Sequence, residues 1–196
     1  LEFGVLNILD SQMAATGTGN YKKAYPMLRV VSGGVFPFTG SVMVRDKSDI
    51  KQLSDLKGKR MAWDYGGHAV PQPWLQAIRE VGGLKPTDVS QYRVSTVNDA
   101  IRALVDGRVD ATFSGIGTGT NEEANAQEPI RFLAIQNIEA ANKILGRYGG
   151  AAVKAIPAAG IRGDISVIGY ALHIVGSTKV NERTVMATTN AWWDHH

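Results

Sequence analysis

Extended apolar runs and helical spacings succeed one another along this chain. Residues 3–8, 27–31, 41–45, 61–63, 92–95, 109–114, 131–135 and 165–175 read as extended, rich in β-branched and aromatic side chains and bounded by turn residues. Helical spacing predicts a helix through Trp74, Leu75 and Ile78, stopped after Val81 by Gly82-Gly83. The clearest helix carries Val97, Ala100, Ile101, Leu104 and Val105 on one face, with Gly107 at its end. Further helices are expected over 121–127, 139–145 and 181–193. A polar loop holding Gly17 and Gly19 is expected after the first strand, and residues 146–163 read as a loose Gly/Ala/Pro region. Strands alternating with helices over short connections predict an α/β fold with mainly parallel sheets.

Composition narrows the classes without choosing among them. The apolar share of 44% and charged share of 20% suit a globular domain, and no apolar run approaches the roughly 20 residues of a membrane span. No charged-then-apolar leader opens the sequence, whose first residues read as the middle of a domain, so a processed or incomplete chain is expected. Absence of cysteine fits any compartment. A net charge of +3, with no basic stripe and no interleaved aromatics, argues against nucleic acid.

Candidate chemistry concentrates in two glycine loops. The first lies in Leu53 to Val70, where a charged turn at Gly58 leads to a short strand, to Gly66-Gly67, and to a helix opened by Pro71. The first N–H groups of such a helix lack internal partners and lie at the positive end of its dipole, which suits a carboxylate or phosphate. The second is Gly115-Ile116-Gly117-Thr118-Gly119-Thr120, also between a strand and a helix. In doubly wound sheets ligands sit beyond the carboxyl ends of strands, so the two loops can line one crevice. The second loop lacks the dinucleotide spacing and the lysine of a P-loop, which argues against a nucleotide.

Catalytic signals are poor. His68 stands four residues from Asp64, but with no cysteine and only His173 elsewhere in the body of the chain, no metal cluster is spelled out, and no cofactor is expected. Nothing selects a Ser-His-Asp set, and His195-His196 carries no chemistry. Trp63 and Trp74 are expected in the core. Tyr65, in the first loop, is the better candidate for ligand contact. If His68 faces a ligand, affinity should rise as pH falls through roughly 6.5.

Four blocks carry a family resemblance: Phe3-Gly4-Val5-Leu6-Asn7; Val42-Met43-Val44-Arg45 with Asp55-Leu56-Lys57-Gly58-Lys59-Arg60; Asp99-Ala100 through Asp106-Gly107-Arg108-Val109-Asp110-Ala111; and Ile156-Pro157-Ala158. In order and spacing, from about residue 3 to 193, the chain resembles the solute receptors of TRAP-type transporters, in particular their TAXI branch. It departs from the family at Gly67-His68-Ala69-Val70, where Gly-Ser-Gly-Thr is usual, and at Phe36-Pro37-Phe38, where Tyr-Pro-Glu is common. The loss of that acidic group makes an amino-acid ligand less favoured.

The resemblance implies a periplasmic-binding-protein-like (type II) two-lobed fold, its first lobe incomplete in this chain. Residues 1–45 would belong to lobe 1 and 46–170 to lobe 2, with 171–196 as a crossing strand and return helix. It implies a non-enzymatic periplasmic or extracytoplasmic receptor that takes a small organic anion between the lobes and passes it to TRAP-type permease subunits. Lobe 1 would contribute Asn7, Asp10, Phe36 and Phe38. Lobe 2 would contribute Tyr65, Gly66, Gly67, His68, Ala69 and Val70 from the first loop and Gly115, Ile116, Gly117 and Thr118 from the second. Two alternatives stand beside it: an effector-sensing domain of a regulator on the same fold, and an enzyme for which only His68 and Asp64 are candidate acid or base. With both chain ends needed to build lobe 1, residues 1–196 alone are expected either to belong to a longer polypeptide or to associate.

Overall fold

The computed structural model describes residues 2–19, 21–65 and 71–194, with backbone alone at 34–36. In chain order the elements are β1 (Phe3–Asn7), α1 (Ile8–Thr16), β2 (Leu28–Arg45), β3 (Arg60–Asp64), α2 (Pro71–Val81), β4 (Ser90–Arg93), α3 (Val97–Val105), β5 (Thr112–Gly115), α4 (Gly119–Gln127), β6 (Ile130–Phe132), α5 (Ile138–Leu145), β7 (Gly150–Lys154), β8 (Ser166–Ser177) and α6 (Glu182–Asp194). The chain forms two compact units, one of residues 1–37 and 170–196 and one of residues 38–169. The sequence reading put these divisions after residues 45 and 170. The first falls instead within β2, after residue 37, and the second within β8, after residue 169; each of these is a single continuous strand.

The larger unit is built on a mixed sheet arrangement. β3 and β4 are parallel, and β3 touches the lead-in to β5 through a parallel bridge between Met61 and Ala111. The end of β2 instead pairs antiparallel with β5, Gly40 opposite Gly115, and with β6, Met43 opposite Phe132. The expected parallel order therefore holds where α2 and α3 supply the crossovers that parallel neighbours need, and gives way where β2 enters without one. The core gathers Met43, Ile101, Leu104, Val109, Ile130, Phe132 and Val167, with Ala100, Ile101, Ala103 and Leu104 forming the buried stripe of α3. Trp63 and Trp74 are buried.

The charged turns brace this unit. Gly58, at φ +76°, donates its N–H to the Asp88 carbonyl at 2.6 Å. Asp110 accepts from the Arg60 backbone N–H at 2.9 Å and from its guanidinium at 2.7 Å, while Arg45 donates to the Leu104 carbonyl at 2.6 Å. Hydrogen bonding and charge from Arg60 hold the Asp110 carboxyl below the usual carboxylate range.

Residues 150–154, expected to be irregular, form β7 against β8. Small residues on both strands fit a close approach: a Cβ on Gly150 of β7 would stand 2.8 Å from the Trp74 ring, and one on Gly169 of β8 2.6 Å from Val153. Their lack of bulk hides the strand from a hydrophobicity reading.

In the smaller unit β1 runs antiparallel to β8, from Phe3 opposite Gly176 to Asn7 opposite Leu172. The polar loop expected after β1 is a helix instead. α1 has little amphipathic pattern and is set by its ends: Asn7 caps the first turn by accepting from the Asp10 N–H, and Gly17 closes the last at φ +71°. On α6, Met186 and Trp193 are exposed.

Candidate functional site

Because β3 and β5 run in the same sense, the connections that follow them leave from one edge of the larger unit. Gly66, Gly67, His68, Ala69 and Val70 lie outside the described residues. Tyr65, just before them, does not project into a loop. It is buried like Met61, Ala62 and Trp63 before it, is 1% exposed, and its hydroxyl lies 3.0 Å from that of Thr112 on β5. Burial pushes the Tyr65 hydroxyl up to about 12. The ring belongs to the packing that joins the two strands beneath the edge.

The β5–α4 connection is fixed from inside. Ser114 donates to the Asn121 side-chain oxygen at 2.9 Å, and the Asn121 amide donates back to the Gly115 carbonyl. Both side chains are buried. Ile116, also buried, donates its N–H to the Thr39 carbonyl at 2.8 Å, and Thr118 caps α4 by accepting from the Asn121 N–H. Gly117 is exposed at φ +79°. The next N–H groups, of Gly119 and Thr120, stand at the first helical positions, where no intrahelical acceptor exists. The loop thus satisfies the buried Ser114 and Asn121 side chains, and the N–H groups at the start of the following helix have no intrahelical acceptor.

Phe38 comes to this same loop, within the larger unit. Its half-buried ring lies over Gly115, so that a Cβ there would stand 3.0 and 3.1 Å from its ε carbons. Phe36 falls among the side chains outside the described residues. Asn7 and Asp10 belong to the smaller unit and are buried against each other: the Asn7 amide donates to the Asp10 carboxylate at 2.7 Å, while its oxygen accepts the Asp10 N–H at 2.8 Å. Their visible work is capping α1.

Sequence reasoning passed over Ser114 and Asn121, although Thr118 three residues before Asn121 is a cap spacing. It also passed over Arg93, whose guanidinium pairs with Asp64 at 3.2 Å at the carboxyl ends of β4 and β3. Among the described residues no group of three or more His, Asp or Glu is placed to hold a metal ion, and no helix is long and apolar enough to cross a membrane.

Comparison with known proteins fits this geometry. The chain is similar to the periplasmic aliphatic sulphonate binding protein SsuA from Escherichia coli, at 19% identity and TM-score 0.56, over 99% of this chain and 52% of that one. It is similar to a putative sulfonate ABC transporter's periplasmic sulfonate-binding protein SsuA from Methylobacillus flagellatus KT, at 17% identity and TM-score 0.55, over 99% and 48%. The periplasmic VFT2 domain of Bordetella pertussis BvgS matches at 10% identity and TM-score 0.54, over 100% and 62%. The chain therefore spans about half the length of the two sulphonate-binding structures, and the likeness is one of fold, that of the two-lobed periplasmic binding proteins. The NMT1-like family model matches residues 1–196, and the chain belongs to that family.

Proposed function

We propose that the protein is an extracytoplasmic solute receptor that takes a small organic anion, a carboxylate or a sulphonate, and hands it unchanged to a membrane permease. The observation that carries this reading is that the carboxyl ends of β3 and β5 lie at one edge of the larger unit, where the first N–H groups of α4 have no intrahelical acceptor and the loop before them is stiffened by Ser114 and Asn121. Family membership and the fold shared with sulphonate-binding proteins support a binding role in place of turnover. The choice of a TRAP-type permease rests on the four sequence blocks that resemble TAXI receptors.

Gly119→Pro tests the anion site. Proline fits the first helical position, Thr118 before it is already extended, and a Cβ at residue 119 meets nothing within 4 Å, so the helix stays while one N–H is removed. Mass spectrometry of ligand released from the purified protein identifies the solute. Calorimetry should then show about tenfold weaker binding for Gly119→Pro, or roughly 1.4 kcal/mol. Unchanged affinity removes the α4 start from the site, and recovery of a chemically altered solute points to an enzyme.

A sensing domain is the second reading, favoured by the likeness to the BvgS VFT2 domain. Reconstitution with a permease separates the two: a transport receptor supports solute uptake, and a sensor does not.

A further inference from the structure

Two apolar side chains flank the β5–α4 loop, and neither is needed to hold an anion. Phe38, a half-buried residue, covers Gly115 with its ring. On the same loop Ile156 approaches Gly117, its Cδ1 standing 3.8 Å from the position of a Cβ there. Ile156 is 54% exposed although it opens the Ile156-Pro157-Ala158 turn, one of the four blocks singled out in the sequence. Its main chain is anchored on both sides. Ala155, buried, donates to the Ile165 carbonyl at 2.9 Å, and Ile161 donates to the Ala158 carbonyl at 3.0 Å. A branched aliphatic side chain is thus held out to solvent on a fixed turn, against an exposed glycine of the candidate site. Single exposed apolar residues are ordinary on protein surfaces. Here two of them border residues 115–117, directly before the Gly119 and Thr120 N–H groups that supply the polar part of the candidate site, which is the arrangement of an apolar wall beside a few placed donors.

We infer that the solute is an amphipathic anion, whose charged head takes the loop N–H groups while an alkyl or aryl group rests on Phe38 and Ile156. The inference rests on the proposed solute-receptor reading and specifies its ligand class. Phe38 and Ile156 are specificity-determining residues: they discriminate among anions by the apolar surface each solute removes from water, and contribute nothing to a head group alone.

Calorimetry of the intact chain with acetate, butanoate and hexanoate, and in parallel with methanesulfonate and hexanesulfonate, reads this directly. Within each series the longest probe is expected to bind at least about tenfold tighter than the shortest, the amount that two buried methylenes supply. Ile156→Ser, at an exposed position that leaves folding intact, is expected to cut that long-to-short ratio severalfold. Phe38→Leu, which keeps apolar bulk over Gly115, should lower it less for alkyl probes than for phenylacetate. A ratio near one in the unaltered protein, or a ratio unmoved by both substitutions, overturns the inference while leaving an anion receptor standing. Failure of every probe to bind overturns the receptor reading and the inference together.

Discussion

Phe38 on β2 lies over Gly115 on β5, and the relationship is reciprocated: Phe113 on β5 lies over Gly40 on β2, where a Cβ would stand 2.8 Å from its Cζ. Gly40 and Gly115 are register partners in the antiparallel ladder, so each aromatic reaches diagonally across to cover the glycine that faces its neighbour. The rings replace the packing that two side chains would give, an arrangement known to rescue glycine in sheets.

This pairing makes Gly115→Ala a test of packing. The methyl is expected to displace Phe38 and cost about 1–3 kcal/mol in urea unfolding. In Gly115→Ala/Phe38→Ala the clash is gone, so the double variant should be more stable than the sum of the single losses allows. Strict additivity would show that the ring and the methyl never compete.

Asn7→Ala is expected to lower stability by roughly 1–2 kcal/mol, through loss of the α1 cap and of the amide that donates to buried Asp10. A melting curve shifted downward supports the capping role. A normal melting curve with weakened solute binding would instead return Asn7 to the ligand residues that the TAXI resemblance implies.

Tyr65 sets an alkaline limit. Its hydroxyl titrates at about 12 when folded against 10 when unfolded, so the unfolded state loses its proton first. The stability it contributes is complete below pH 10 and disappears as pH rises towards 12, by roughly 2–3 kcal/mol. Tyr65→Phe should flatten that alkaline limb. It should also cost about 1–2 kcal/mol near neutrality, because the buried Thr112 hydroxyl loses its partner. An alkaline limb identical in both proteins would contradict this assignment.

At the other end of the scale Asp110 acts with opposite sign. Its folded carboxyl is held below 3.8, chiefly by Arg60, so its contribution is present above that value and is lost as pH falls through the folded one. Asp110→Asn is expected to cost on the order of 1 kcal/mol at pH 7, solvent screening keeping the figure small, and to remove part of the acid dependence below pH 4. Chemical unfolding at pH 3 and pH 7 checks both.

The elements that sequence reading located are those whose own residues repeat a pattern. α3 shows its buried stripe in Ala100, Ile101 and Leu104, and β3 was found at Met61 to Trp63. α1 and β7 were missed because their signals lie elsewhere: α1 is defined by Asn7 and Gly17 at its ends, and β7 by the space that Trp74 and β8 leave for small residues. Likewise the glycines of residues 115–118 were legible as a loop after a strand. What stiffens the loop was not, because Ser114 and Asn121 read as ordinary polar residues until the fold closes them on each other. Tyr65 was misread for the complementary reason: it stands beside glycines in sequence, yet its ring is buried and its hydroxyl reaches Thr112 on β5.

The pairing of β1 with β8 joins residues 3–7 to residues 172–176, whereas the β2–β5, β2–β6 and β3–β4 ladders lie within residues 38–169. Closing the larger unit costs less chain entropy and can begin as soon as residue 169 is available. β1 is made before the larger unit and gains its β8 partner after it. Until residues 172–176 arrive, Phe3, Val5 and Leu6 lack their β8 partner, and an apolar strand waiting for its partner is where aggregation competes with folding.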